Sequence, residues 1–225
     1  MREPIEKKIL SENDRIAAGL RSRYRESDIS CVNLISSPGS GKTTLLERTL
    51  AAIPRDANVA VLTGDIQTDN DAQRLARFGF PVHQITTGGA CHLDARMIER
   101  ALEALPLASH SLLLIENVGN LVCPASYDLG EAAKVVLLSV AEGEDKPLKY
   151  PGIFHRASLL VVTKMDLLPH VDFDAALAEE NARKIHPEIG VIELSCRTGK
   201  GLERWLGWLN SVGRRFPIAA SATAR

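Results

Sequence analysis

The chain has 225 residues, 45% hydrophobic and 24% charged, with 27 Lys+Arg against 28 Asp+Glu. This composition excludes disorder, collagen and coiled coil, and its near-zero charge balance points to neither a nucleic-acid nor a membrane partner. No apolar run reaches the ~18 residues of a membrane span, residues 1–10 lack a signal-peptide core, and four cysteines are too few for a disulfide scaffold, so a cytoplasmic protein with free or metal-bound thiols is expected.

In chain order, a helix is expected over 4–20, inside an N-terminal helical extension 1–28. The strand pattern then begins at 31–36 and a Gly-rich turn leads into a helix over 43–52. Strand 59–62, helix 70–78, strand 82–85 and an amphipathic helix over 93–105 follow, the last with Leu93, Met97, Ala101 and Leu105 at four-residue spacing. The runs 112–116, 135–140 and 159–163 are almost continuously apolar, as strands are when helices cover both faces of a sheet. A helix over 174–184, a strand over 191–195 and a helix over 202–212 complete the pattern. Strands alternating with helices predict an α/β fold with a mainly parallel sheet, in one domain spanning 29–215 with a fraying tail at 216–225.

The segment Ser36-Ser37-Pro38-Gly39-Ser40-Gly41-Lys42-Thr43-Thr44 lies between the first strand and its helix, the setting of a phosphate-binding loop. Gly39 and Gly41 allow backbone N–H groups to point inward, Lys42 supplies a charge for the β/γ-phosphates, and the Thr43 hydroxyl suits Mg²⁺. The loop pattern's first glycine is Ser36 here, at the strand end, where the change is tolerable; the bland alternative is a Gly-rich turn with a surface lysine.

Thr163-Lys164-Met165-Asp166 ends an apolar strand and is similar to the Asn-Lys-x-Asp element of GTPases, with Thr for Asn. The two oxygens of Asp166 can accept from guanine N1–H and the exocyclic amine, a pattern adenine lacks; the Lys164 stem can lie along the base, and Ser195, Cys196 and Arg197 can add contacts. A plain polar turn is the alternative. Asp65 and Glu116 follow strands at the carboxyl edge, where ligands bind in such sheets, and are candidates for holding Mg²⁺ or simply solvated loop acids.

Parallel strands joined by helices place every strand-to-helix loop on one rim. Cys91, His92 and Cys123 therefore share the rim of the phosphate loop. Two thiols and an imidazole suit zinc, nickel or copper, but the spacing matches no common finger and also fits two small buried thiols with a helix-capping histidine. Cys31 and Cys196 read as core residues in apolar strands, and His83, His110, His155, His170 and His186 as structural.

The blocks Ser37 to Thr44, Thr63-Gly64-Asp65-Ile66-Gln67-Thr68-Asp69, Thr87-Gly88-Gly89-Ala90-Cys91-His92-Leu93-Asp94, Glu116-Asn117-Val118-Gly119-Asn120-Leu121-Val122-Cys123-Pro124 and Glu142 to Pro151 strongly resemble the hydrogenase nickel-incorporation GTPase family (HypB). The resemblance runs in order over 29–209. It implies a P-loop NTPase of the SIMIBI class that hydrolyses GTP with Mg²⁺, dimerises when GTP is bound, and works with an accessory nickel metallochaperone on the hydrogenase large-subunit precursor. It also implies a Ni²⁺ site, open to Zn²⁺, at Cys91, His92 and Cys123, and nucleotide roles for Lys42, Thr43, Asp65 and Asp166. Some members carry an N-terminal Cys- or His-rich nickel-capture motif; here the first cysteine is Cys31 and the first histidine His83, so such capture is not expected. Rival readings are a urease-type nickel-maturation GTPase, a nucleotide-gated metal-binding dimer whose hydrolysis is incidental, and, more distantly, an ATP-dependent enzyme. Because Glu116 and Cys123 are seven residues apart, motion at the nucleotide is expected to move a metal ligand.

Overall fold

A computed structural model describes residues 5–213 except 106 and 110; His110 and the tail from 216 lie outside the described residues. The architecture is a seven-stranded sheet in the order β3-β2-β4-β1-β5-β6-β7. The strands are β1 Ser30–Ser36, β2 Val59–Asp65, β3 Val82–Thr86, β4 Leu112–Glu116, β5 Ala133–Ser139, β6 Leu159–Thr163 and β7 Gly190–Glu193. Every pairing is parallel. The central strands β4, β5 and β6 are buried along their whole length, as their unbroken apolar sequence requires.

The helices are α1 Ile5–Glu26, α2 Lys42–Ala52, α3 Asn70–Ala76, α4 Ala95–Ala104, α5 Lys146–Lys149, α6 Pro151–Arg156, α7 Ala175–Ile185 and α8 Leu202–Val212. One sheet face packs on α2, α3 and α8 through Leu45, Leu46, Leu75, Leu206 and Leu209. The other face packs on α1 and α4 through Leu20, Tyr24, Ile98 and Leu102, and on α6 and α7 through Phe154, Ala178 and Ala182. Trp205 of α8 is fully buried, and its Nε1–H donates to Thr49 Oγ1 of α2 at 2.8 Å. A buried indole needs such a partner, and the bond ties α8 to the helix that follows the phosphate loop.

Several boundaries differ from the sequence reading. α1 runs to Glu26 because Tyr24, past the expected end at 20, still packs in the core beside Leu20. α4 starts at Ala95 because Asp94 is its cap, accepting from Met97 N at 2.7 Å. β7 ends at Glu193 rather than 195, where its pairing with Val162 stops, so Ser195 and Cys196 sit in a loop. Cys31 is fully buried in β1 as expected, but Cys196 is only partly buried and is not a strand residue. The short helices α5 and α6 were not anticipated; each carries proline in its first turn, where a missing N–H costs nothing. Among the described residues no helix is long and apolar enough to cross a membrane.

Candidate nucleotide and metal sites

β1 ends at Ser36 and α2 begins at Lys42, so the intervening loop lies at the carboxyl edge of the central strand. Gly39 (φ 75°) and Gly41 (φ 99°) occupy left-handed conformations that disfavour any side chain. Gly41 caps α2 without a side-chain hydrogen bond, which leaves the first-turn N–H groups of the helix for an anion. The Lys42 ammonium is buried and donates to Ser36 Oγ at 2.9 Å. Ser36, the departure from the glycine pattern, thus parks the lysine. Burial pulls the Lys42 pKa down, against the attraction of Glu116.

Glu142 braces this loop from the far side. Its Oε1 accepts from Ser40 Oγ at 2.7 Å and from Ser139 N at 3.0 Å, and its Oε2 lies 3.2 Å from Lys146 Nζ, which also donates to Ser37 Oγ at 3.3 Å. Burial pushes the Glu142 carboxyl up, but the bonds from Ser139 N–H and the Ser37 and Ser40 hydroxyls outweigh it and hold the pKa below the ordinary value. The sequence reading gave Glu142 and Lys146 no role; their contacts span about a hundred residues of chain, beyond the reach of any local pattern.

Above the loop is a cavity of about 470 Å³ lined by Pro38, Lys42, Thr43, Asp65, Arg74 and Glu116 among others. Thr43 Oγ1 donates to Glu116 Oε1 at 2.7 Å. Glu116 is 4% exposed and its Oε2 is buried with no hydrogen-bond partner. Burial raises its pKa to about 7, against Lys42 and the Thr43 hydroxyl, which lower it. Asp65 Oδ1 accepts from the N–H groups of Gln67 at 2.9 Å and Thr68 at 2.7 Å. Burial raises the Asp65 pKa, and these backbone donors more than reverse that. The hard oxygens of Thr43, Asp65 and Glu116 and the orphaned Glu116 Oε2 fit Mg²⁺. Arg74, not anticipated, forms a bidentate pair with Glu47 at 3.0 and 2.8 Å on the cavity wall. The loop after β4 presses on the phosphate loop: a Cβ on Gly119 would lie 3.0 Å from Pro38 Cα.

A second cavity of about 170 Å³ adjoins the loop, lined by Ser40, Gly41, Thr44, Thr163, Lys164, Asp166, Leu167, Cys196 and Arg197. It brings together Lys164, Asp166, Cys196 and Arg197 of the residues expected to hold a purine base, while Ser195 is fully buried behind them and does not line it. The Thr163 hydroxyl donates to Ser40 O at 2.7 Å, so the residue that departs from the GTPase pattern joins the base-side strand to the phosphate loop. Lys164 adopts the left-handed conformation (φ 59°), and Asp166 Oδ1 accepts from Ser195 Oγ at 2.6 Å. Arg197 lies 3.9 Å from Asp166 Oδ2. Burial pushes the Cys196 thiol up to about 11, so it lines the pocket as a neutral group.

Cys91, His92 and Cys123 converge on the same rim, with one donor atom from each lying within 4.8 Å of the others. Cys91 Sγ is 2.8 Å from Cys123 Sγ and 3.9 Å from His92 Nδ1. All three are partly buried, and the cap of α4 is Asp94, so the reading as core thiols with a capping histidine is set aside. Burial lowers the His92 pKa, which favours the neutral, ligating imidazole. The His92 ring stacks on Tyr127 with centroids 3.8 Å apart. Asn120 Nδ2 donates to Cys91 O at 3.3 Å, and Asn117 Oδ1 accepts from Leu93 N at 3.2 Å, so the two ligand-bearing loops are joined by amide side chains. Asn117 immediately follows Glu116, and both line the cavity of about 470 Å³ above the phosphate loop. Elsewhere His186 Nδ1 lies 3.0 Å from Ala157 O, a structural contact.

A family model described as "CobW/HypB/UreG, nucleotide-binding domain" matches residues 30–193. The chain belongs to the CobW/HypB/UreG family. Within it, the chain is 54% identical over 205 residues to the hydrogenase maturation factor HypB of Azotobacter chroococcum mcd 1, covering 91% of this chain and 67% of that one. It is 46% identical over 209 residues to the hydrogenase/urease maturation factor HypB of Helicobacter pylori strain J99, covering 91% and 86%. Among solved structures it is similar to a crystal structure of HypB from Helicobacter pylori in complex with nickel, with a TM-score of 0.82 and 43% identity over 89% of this chain and 94% of that one. The resemblance drawn from the sequence blocks and the parallel α/β fold are both borne out.

Proposed function

We propose that the chain is a GTP-hydrolysing regulator of nickel delivery in hydrogenase maturation, whose thiolate–imidazole site answers to the nucleotide. The observation that carries this reading is Asn117: it adjoins Glu116 in the phosphate cavity, and its side chain holds the backbone beside His92. The names of the relatives, and the nickel complex of one of them, support the cargo.

In this reading the N–H groups around Gly39 and Gly41 and the Lys42 ammonium bind the β- and γ-phosphates, and Asp166 accepts from the guanine edge. Thr43, Asp65 and Glu116 would hold Mg²⁺, which supplies charge neutralisation at the transferring phosphoryl group. Glu116 shifts its contact away from Thr43 as the cavity fills, and Asn117 carries that shift to the loop of Cys91 and His92. Nickel is cargo, held by Cys91, His92 and Cys123 and passed on with an accessory metallochaperone to the hydrogenase large-subunit precursor; zinc is the competing occupant. A homodimer in the GTP state and a cytoplasmic location complete the proposal.

The test is a nickel titration in the presence of a GTP analogue and of GDP, with ATP as competitor at the base site. Equal nickel affinity in both nucleotide states removes the regulatory reading, and equal displacement by ATP removes the guanine assignment. The double name of the Helicobacter relative favours a second target, apo-urease. Activation of apo-urease but not apo-hydrogenase in a reconstituted assay would select that reading.

A further inference from the structure

A metal-binding imidazole must present a nitrogen in a fixed direction while its ring turns freely about two side-chain torsions. A neighbour that hydrogen-bonds one ring nitrogen fixes the ring at the cost of a possible ligand atom. A neighbour that covers the ring face fixes it and leaves both nitrogens, which lie in the ring plane, available. Tyr127 does the latter to His92: the centroids are 3.8 Å apart and the planes 26° from parallel.

The Tyr127 backbone is anchored to the sheet. Its carbonyl accepts from Lys134 Nζ at 2.8 Å. Lys134 pairs with Glu131 at 2.8 Å, with side chains 9% and 3% exposed. Glu131 Oε1 in turn accepts from Asn33 Nδ2 at 3.2 Å in the middle of β1, and Asn33 Oδ1 from Asn117 Nδ2 at 3.3 Å. A second clamp comes from α1: buried Asn13 donates to Asp128 O at 2.9 Å, one residue past Tyr127, and accepts from Ala95 N at 2.8 Å, three residues past His92. One amide side chain therefore grips both segments that carry the stacked rings. Outer groups that orient a ligating histidine by hydrogen bonds tune metal affinity strongly, and a ring face held over the imidazole serves the same orienting purpose.

We propose that Tyr127 is a positioning residue of the metal site, the platform that holds the His92 imidazole ready for the ion. The inference rests on the functional reading above, that Cys91, His92 and Cys123 bind nickel. It requires an aromatic face at 127 and not the tyrosine hydroxyl.

The experiment uses the full chain as wild type, Tyr127→Phe, Tyr127→Leu, His92→Ala and the Tyr127→Leu/His92→Ala double variant. Nickel affinity is measured by competition with a chromophoric chelator, the thiolate-to-nickel absorption band is recorded, and GTP affinity serves as the control for an intact fold. Tyr127→Phe is expected within about twofold of wild type. Tyr127→Leu should bind nickel about threefold to tenfold more weakly, the range that immobilising one freed side chain on binding corresponds to, with GTP affinity unchanged. On the His92→Ala background, Tyr127→Leu should cost nothing further, because the platform acts only through the imidazole. Wild-type affinity in Tyr127→Leu, a loss that Phe does not rescue, or a loss that adds fully to His92→Ala overturns the proposal. If the wild type binds no nickel, or His92→Ala binds it as wild type does, the functional reading itself fails and this inference falls with it.

Discussion

Glu116 shows how much chemistry one buried carboxylate can concentrate. Its pKa near 7 follows first from burial, with Lys42 and Thr43 opposing. A carboxyl raised above its ordinary value stabilises the fold fully at pH below that ordinary value, and the contribution drains away as pH climbs through about 7. The nucleotide-free protein should therefore lose stability relative to Glu116→Gln between about pH 5 and about pH 8, by up to about 3 kcal/mol. Urea midpoints measured across that range check this; parallel curves for the two proteins would refute it. Asp166 makes a second case. Asp166→Asn should lose guanine preference while keeping phosphate-loop affinity, since only the acceptor pair on the base changes, and competition between GTP and ATP reads it out. At this scale the sequence was informative wherever chemistry is local: Lys42 and Thr43 sit inside one loop, and Cys91 adjoins His92. Tyr127 and Asn13 were invisible because they act on residues 35 and 115 positions away, and Glu142, though inside a block that carries the family resemblance, received no role because Ser40 is 102 positions from it.

The loops after β3 and β4 form the working element, and Asn117 is its hinge pin. Its Oδ1 takes the N–H groups of Leu93 at 3.2 Å and Val118 at 2.9 Å, and its Nδ2 reaches Asn33. Asn117→Ala orphans these buried groups, and leaving one unsatisfied costs about 1–3 kcal/mol. A fall of that order in unfolding free energy, with weakened nickel binding, is the expected result. The junction between β6 and the phosphate loop gives a milder case. Thr163→Val removes the donor to Ser40 O and should cost about 0.5–1.5 kcal/mol, seen as a lower thermal midpoint and weaker GTP binding. Element existence was largely legible, because β-branched runs alternating with amphipathic stretches leave little choice. Element ends were not. The 191–195 run alternates like a strand, yet its ladder stops with its neighbour at Glu193, and α1 continues through Arg21, Ser22 and Arg23 where Arg21 pairs with Asp128 and Tyr24 packs in the core.

On the scale of the whole molecule, the parallel topology does the organising. With β1 between β4 and β5, the phosphate loop faces the loop after β4 on one side and the Glu142 segment on the other. The rim rule placed the nucleotide and thiol residues on one edge from sequence, though the strand order itself had no local signature. If GTP changes nickel affinity by some factor, nickel must change GTP affinity by the same factor. Paired titrations on one preparation should close to that equality. Size-exclusion chromatography with metal analysis, in the GTP-analogue and GDP forms, should show metal retained by wild type and lost in Cys91→Ala and Cys123→Ala. Retention in both variants would place the ion elsewhere.

The bond from Trp205 to Thr49 makes the protein its own optical gauge. The indole is sealed from water, stacked on Trp208 with ring centroids 5.6 Å apart and tethered to the helix that starts at Lys42, so its emission is expected to follow small changes in that helix. Ligand arrival at the opposite end of α2 should therefore register as a change in intrinsic emission, measurable without attaching a dye.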